Sequence, residues 1–456
     1  MDWYTNMFCR TQKKLALIAL AFSYFQFFSL QAQAFEIITN GFGTVCASKS
    51  DVSKTAFVNV PVYSEFAAQW NNTTYVAPTF YRPTYVGADR RWNLLPDSKF
   101  ALQFTSIFDD KFKAVAQVIG RWETFTYEHY YAKMDWAYLQ YNRNNQLDIQ
   151  LGRYRIPSFY FSDYLDVNNA QPWVMPPDEV YFIVGGAFRN MDGIKARYSD
   201  YIGNFNLTGQ LYYGTMEEDI YVLFGGIHVS VRDTFGVTGQ IEHDRFSLRG
   251  SLMRSVYDTN LYGNLEGIAS GVNAIMGSTP QSRNLLNTMM DKDQSIIYVG
   301  LAASLNITDN LNLLFERASI LSPGIISTAR VGWYGSLTYN MGKFAITGTH
   351  GFSRPLGTES KKYEVVRDFF QTSQYLTAAD NNSGAGKAVT EAFKSYLGRQ
   401  RSYAVDVRYD VLPSVALKAG VKCVKPLDKS AVKYILNRLP VYKSIMVYRV
   451  SMDFVF

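Results

Sequence analysis

Seven pairs of segments in this chain alternate apolar and polar residues, each pair joined by a few turn-forming residues, and that pattern constrains the fold more than any motif does. Residues 100–108 and 112–122 flank 109–111, 130–141 and 147–151 flank 142–145, and 194–198 and 205–213 flank 199–203. The same arrangement recurs at 235–241 and 246–252, 297–305 and 311–315, 331–339 and 344–352, and 403–411 and 415–423. Period-two alternation places successive side chains on opposite faces of a strand, so each pair reads as a β-hairpin with unlike surroundings on its two faces. A further strand is expected at each end. In the last segment Met446, Tyr448, Val450, Met452, Phe454 and Phe456 are all apolar, with Arg449, Ser451 and Asp453 between them. The total is about sixteen strands.

Connections between hairpins are expected at 47–98, 123–129, 154–190, 214–232, 256–294, 321–328, 354–400 and 425–443, mostly far longer than the turns within hairpins. Short turns on one rim and long connections on the other are the pattern of a transmembrane antiparallel β-barrel. A compact soluble domain has little use for so many long loops. Sixteen strands also close into a cylinder too wide for its own side chains to fill, so an apolar-inside version would be hollow.

Composition agrees with that reading. Aromatic residues make up 16% of the chain, while mean hydropathy is only −0.12. After residue 34 no run of eighteen apolar residues occurs, which excludes transmembrane helices. Lipid-facing residues that alternate with lumen residues, plus interfacial aromatic girdles, give this combination.

The first residues read as an export signal. Arg10, Lys13 and Lys14 precede an apolar stretch over 15–30, and Gln31-Ala-Gln-Ala34 supplies an Ala-x-Ala site. The expected organisation is a cleaved secretory signal peptide, 1–34, and one barrel domain, 35–456. Three basic residues and one acidic residue lie before residue 35, so the charge left falls by two from the +6 of the whole chain. So small an excess gives no reason to expect nucleic acid as a partner. Cys9 precedes the cleavage site, and Cys46 and Cys423 fall on strands separated by the last one, too far apart for a disulfide.

With the apolar set of each strand turned to lipid, Lys113, Arg121, Lys133, Lys195, Arg197, Arg249, Arg330, Arg408, Lys418, Lys422 and Arg449 point into the lumen. So do Asp135, Asp148, Glu242, Glu316, Asp406, Asp410 and Asp453. Enzymatic chemistry finds little support. His129, His228, His243 and His350 form no short-spaced metal pattern, no phosphate loop is present, and neither cofactor nor metal is expected.

The connection 154–190 is unusual. Its core, Gly152-Arg-Tyr-Arg-Ile-Pro, then Ser-Asp-Tyr-Leu-Asp-Val, then Pro-Trp-Val-Met-Pro-Pro-Asp-Glu-Val-Tyr181, is rich in apolar and aromatic residues, as a packed loop would be. It follows the fifth strand and is the third long loop. In these segments, in strand order and in the terminal Phe456, the chain resembles the Gram-negative outer-membrane porins. The resemblance implies an outer-membrane, homotrimeric channel for passive diffusion of small hydrophilic solutes or ions, among outer-membrane lipid and lipopolysaccharide, with the third long loop folded into the lumen. If that loop folds inward, its Asp163, Asp166, Asp178 and Glu179 would face a wall bearing Arg121, Arg249, Arg330 and Lys418, with Arg408 also in the lumen. Opposed charges across a narrow aqueous eyelet set ion preference, here weakly for anions. Arg153 and Arg155, at the loop's root, either line the pore or pair with the loop's carboxylates. The alternative is a structural or adhesive surface barrel with an occluded lumen, its long loops 256–294 and 354–400 carrying helix-like stretches at 284–291 and 389–397.

Overall fold

The computed structural model describes residues 36–50, 98–123, 129–181, 189–222, 225–261, 293–321, 329–356, 399–427 and 444–456, together with residues 92, 94 and 280. The signal peptide and the two helix-like stretches lie outside the described residues. The strands are β1 (Glu36–Ser50), β2 (Lys99–Ile107), β3 (Phe112–Glu123), β4 (His129–Asn142), β5 (Leu147–Arg155), β6 (Asn190–Ile202), β7 (Phe205–Val222) and β8 (Gly225–His243). They continue as β9 (Phe246–Leu261), β10 (Gln294–Thr308), β11 (Leu311–Leu321), β12 (Arg330–Met341), β13 (Phe344–Pro355), β14 (Gln400–Leu412), β15 (Val415–Pro426) and β16 (Ile445–Val455). Each pairs antiparallel with its neighbours in sequence, and β1 pairs with β16, so the sheet is a closed barrel.

Closure leaves no sheet edge with unpaired backbone groups, which a bilayer would penalise heavily. The seam runs from Phe42 opposite Val455 to Ser50 opposite Val447. Beyond it the Phe456 and Gly41 backbones exchange two hydrogen bonds, at 2.8 and 3.0 Å. The Phe456 ring stacks on Phe100 of β2 with centroids 5.9 Å apart. The patterned C-terminus is therefore a fully paired strand.

Alternation sorts the wall into two faces. Leu211, Val237 and Leu252 stand opposite one another outside β7, β8 and β9 and are exposed. One residue along, Gln210, Thr238 and Ser251 are buried inside. The exposed outer set continues with Leu301, Phe315, Leu337, Ile346, Val405, Leu417 and Val450. Apolar surface this extensive is stable only against lipid. No described helix is long and apolar enough to cross a membrane; the crossing is made by strands.

Two local findings depart from the sequence reading. Residues 214–232, expected as a long connection, are mostly strand: β7 and β8 pair up to Val222 opposite Gly225, with only 223–224 between them. The acidic run Glu217-Glu218-Asp219 looks like a loop but is carried on paired strand ends. The second is a bulge in β4. Gln117 faces Trp136 and Val118 faces Met134, leaving Asp135 as the extra residue. A bulge re-aims side chains next to functional sites, and here it turns fully buried Asp135 inward. Cys46 is buried and Cys423 half-buried, and the two are not bridged to each other.

Candidate functional site: a loop fastened across the lumen

The chain leaving β5 turns back at Ile156 and runs to Tyr181 through two 3-10 turns, Ser162–Tyr164 and Asn168–Ala170, and one short helix, α1 (Asp178–Tyr181). Its hydrogen bonds reach a long succession of strands. The Pro157 carbonyl accepts from Thr238 of β8 at 2.9 Å and from Arg249 of β9 at 3.0 Å. The Ser158 carbonyl accepts from Ser251 of β9 and Tyr298 of β10. Glu316 of β11 accepts from the Tyr160 backbone N–H at 2.8 Å and from the Tyr181 hydroxyl at 2.6 Å. The Trp173 indole donates to Ser336 of β12 and Thr349 of β13, and the Val174 N–H donates to Asp406 of β14. Lys418 of β15 donates to the carbonyls of Asn168 and Trp173. All these wall residues belong to the polar face, so the segment reaches them together only from inside the barrel.

Packing explains why the loop is rich in aromatic residues. Phe161 meets Trp173 edge-on at 5.5 Å, Trp173 meets Tyr334 of β12 edge-on at 5.6 Å, and Phe159 meets Tyr298 of β10 edge-on at 5.5 Å. Such pairs add roughly 0.5–1.5 kcal/mol each beyond area burial. Glycine lets α1 sit this close to the wall. A Cβ at Gly332 of β12 would fall 1.7 Å from the Glu179 carbonyl oxygen, and one at Gly351 of β13 would fall 2.7 Å from the Glu179 carboxylate.

All the loop's carboxylates but that of Asp163 are consumed by fastening. Asp166 lies within 3.1 Å of Arg121, 2.8 Å of Arg155, 2.8 Å of Arg189 and 3.5 Å of Lys99. Asp135, turned in by the bulge, takes Arg155 at 2.9 Å and also accepts from Gln117 and Asn190. Burial pushes the Asp166 carboxyl up, but Arg121, Arg189, Arg155 and Lys99 outweigh it and hold the group well below the usual carboxylate range. Lys422 of β15 contacts both Asp178 and Glu179. Lys418 pairs with fully buried Asp453 of β16 at 2.9 Å.

The sequence reading is thereby corrected at several positions. Asp166, Asp178 and Glu179 do not face an open eyelet; they are buried against the wall, as are Arg121, Arg249 and Lys418, and Arg155 takes the pairing alternative, on Asp166 at 2.8 Å. Arg153 lies on the outer face, in line with exposed Leu151 and Ile194, and forms a bidentate pair with Asp192 at 2.7 and 2.8 Å. Odd positions of β5 point outward, and Arg155 escapes that rule only because the chain is already turning into the loop. Arg330 is half-buried beside Ser353, and Arg408 holds Asp410 and the Asn169 and Gln171 carbonyls. Of the acidic loop residues singled out, only Asp163 is exposed.

The wall of β5 to β7 receives few of these bonds, and lumen-facing charge stays accessible beside it. Asp148 interacts electrostatically with Arg197, Lys195, Lys113 and Asp163, so five charged groups converge there from β3, β5, β6 and the loop. Exposed Tyr164 adds a phenol at the same edge. The inward alternation marks Lys113, Asp148 and Arg197. No sequence signal separates them from the charges consumed by the loop.

A closed barrel with an apolar belt, a polar lumen and a loop fastened inside defines a transmembrane β-barrel of the outer-membrane type. No protein-family model matches the sequence, and no curated protein matches it. Among solved structures the chain is similar to the outer membrane channel DcaP of Acinetobacter baumannii, at 12% identity, 94% coverage of this chain, 99% of that chain and a TM-score of 0.49. It is also similar to an anion-selective porin from Comamonas acidovorans (12% identity, 92% and 100% coverage, TM-score 0.45) and to Pseudomonas putida OprB (9% identity, 92% and 94% coverage, TM-score 0.48). These are likenesses of barrel architecture, and no residue role is taken from them.

Proposed function

We propose that this protein is an outer-membrane porin, a channel rather than an enzyme, passing small hydrophilic solutes or ions by passive diffusion. The observation that carries this reading is the fastened loop, which narrows the lumen against most of the wall yet leaves Lys113, Asp148, Arg197, Asp163 and Tyr164 accessible beside β5 and β6. Solutes pass along that side, between the loop's Asp163 edge and the wall. Most other inward cations are neutralised by loop or wall partners, so ion preference is weak and is set by these few groups. Lys113 and Arg197 against Asp148 and Asp163 tilt it little, and the remaining basic excess gives a slight preference for anions. Assembly as a homotrimer, insertion among outer-membrane lipid and lipopolysaccharide, and export with loss of residues 1–34 belong to the same proposal.

Purified protein in planar bilayers tests it. Stepwise ionic current is expected, and the double variant Lys113→Glu/Arg197→Glu should move the reversal potential toward cation preference. A folded barrel that conducts nothing would refute the porin reading in favour of an occluded surface barrel. Conduction with a reversal potential untouched by the double variant would refute the assigned path. Heat-modifiable migration of unheated samples reads the trimer in the same preparation.

A further inference from the structure

Several inward cations of the barrel are matched by carboxylates. Lys418 is held by Asp453, Lys422 by Asp178 and Glu179, Arg408 by Asp410 and Lys133 by Glu218. Beside β5 and β6 that pattern breaks. Lys113, Asp163, Lys195 and Arg197 all lie within electrostatic range of Asp148. Among the described residues none of these five side chains makes an ion pair or a hydrogen bond. Lys195 is the extreme case: only 7% of it is exposed, and it faces Gln150 of β5 and Tyr212 of β7, neither of them charged. A buried charge without a partner is costly, so a wall that keeps one holds it for something that arrives.

Local contacts explain how Lys195 stays unpaired. Its ammonium sits 5.2 Å over the ring of Tyr154. That ring is fixed, because the Tyr154 hydroxyl donates to the Ile194 and Tyr213 carbonyls at 2.9 and 3.1 Å. On β5, Tyr154 lies beyond Gln150 and Asp148 lies before it, so leaning on the ring takes the ammonium away from the carboxylate. Asp148 faces Arg197 across the next lumen-facing pair. The same two pairs leave acceptors open. Gln150 donates through Nε2 to Gln140 at 3.1 Å, which sets its orientation, and its Oε1 is buried without a partner. One oxygen of Asp148, Oδ1, is buried without a partner as well. Water fills those sites between solutes, and a solute that displaces it must donate hydrogen bonds in its place.

We propose that this stretch of the lumen wall is a saturable subsite for a sugar acid, its carboxylate against Lys195 and Arg197 and its hydroxyls donating to Gln150 and Asp148. Lys113, Lys195 and Arg197 outnumber Asp148 on the wall, which favours an anion and disfavours an ammonium beside Asp148. A simple fatty acid would satisfy the cations and strand the two acceptors; a neutral sugar would do the reverse. Lumen-facing positions two residues apart on a strand are separated by about 7 Å, a span that a uronic acid covers. Tyr138, half-buried and within electrostatic range of both Asp163 and Asp148, adds an aromatic face for the sugar ring. The inference rests on the solute path proposed along β5 and β6 and deepens it by naming the solute.

The test uses the purified full-length protein twice, in detergent by titration calorimetry and in planar bilayers by block of the chloride current. The probes are glucuronate, glucose, hexanoate and alanine. Glucuronate should bind saturably and about tenfold or more tighter than the other three. Lys195→Met keeps the stem on the Tyr154 ring but removes the charge, and should cost about tenfold for glucuronate. If that variant does not fold, Arg197→Gln, at an exposed position, should lower glucuronate affinity severalfold. Gln150→Leu should weaken glucuronate severalfold and leave hexanoate unchanged, a split that a merely structural role would not give. Lys343→Gln, a basic residue of a short turn elsewhere, should change nothing. Equal affinity for hexanoate, a preference for alanine, or glucuronate binding untouched by Lys195→Met and Arg197→Gln overturns the proposal. Glucuronate binding in detergent by a barrel that conducts nothing defeats the channel reading alone, and a conducting barrel indifferent to glucuronate defeats only the subsite.

Discussion

Replacing Asp166 with Asn removes the charge at the centre of the loop's fastening while keeping its shape. Of the four cations around it, Arg155 and Arg121 also reach Asp135, at 2.9 and 3.7 Å. Breaking a buried ion pair from one side costs about 3–5 kcal/mol, because the partners stay buried without compensation. Asp166 belongs to the loop and not to a strand, so the penalty falls on loop docking and not on the barrel. Converted at 1.4 kcal/mol per tenfold, it shifts the balance between docked and released loop by roughly a hundredfold to several thousandfold. Planar-bilayer recordings should therefore show higher mean conductance and more current noise, while heat-modifiable migration still reports a folded barrel. Asp166→Glu keeps the charge and should lie between wild type and Asn. A folded Asp166→Asn protein whose trace matches wild type would refute the reasoning.

Acid should act through the same group, with a definite sign. The folded carboxyl is held well below its ordinary value of 3.8. A depressed carboxylate contributes its full stabilisation above the unfolded value and loses it as pH falls through the folded one. Recordings between pH 7 and pH 5 should show no loop release on this account. Release should set in only below about pH 4, and in Asp166→Asn this acid-dependent component should be missing.

Two further perturbations address other contacts. Gly332→Ala sets a methyl against the Glu179 carbonyl; overpacking of about 1–3 kcal/mol should lift α1 from β12 and β13 and raise single-channel conductance, and an unchanged conductance in a folded variant would count against the close approach. Deleting Phe456 removes its two backbone bonds to Gly41 and its stack on Phe100. The yield of heat-modifiable barrel in the outer membrane should fall severalfold, with the conductance of whatever assembles unaltered; normal assembly would defeat the closure role.

Strand order was legible because alternation is local: Leu211, Val237 and Leu252 declare their face from their immediate neighbours. The connection at 214–232 misled because charge on a strand end resembles charge in a loop, and only pairing with β8 distinguishes them. Arg153 was misplaced for a different reason. Alternation along β5 sends it outward, but its place next to a functional loop suggested otherwise, and its partner Asp192 is 39 residues away. The Asp135 bulge is invisible for the same cause, since an extra residue is defined only by the strand opposite.

The inward charges show what one face can and cannot tell. Alternation correctly assigns Arg121, Lys418 and Asp453 to the lumen side, yet a lumen address is not a pore-lining role. Once a loop lies inside, each inward cation either meets water or meets the loop, and that division is made by contacts remote in sequence: Arg121 with Asp166, 45 residues on, and Lys418 with the Asn168 carbonyl, 250 residues back. Burying an unpaired charge costs far more than pairing one, so cations under the loop must find carboxylates or carbonyls there. Asp166, Asp178 and Glu179 supply the carboxylates. Those three residues, which appear from sequence to set up a field across an eyelet, are thereby removed from it, while Asp163 and Arg197 stay exposed.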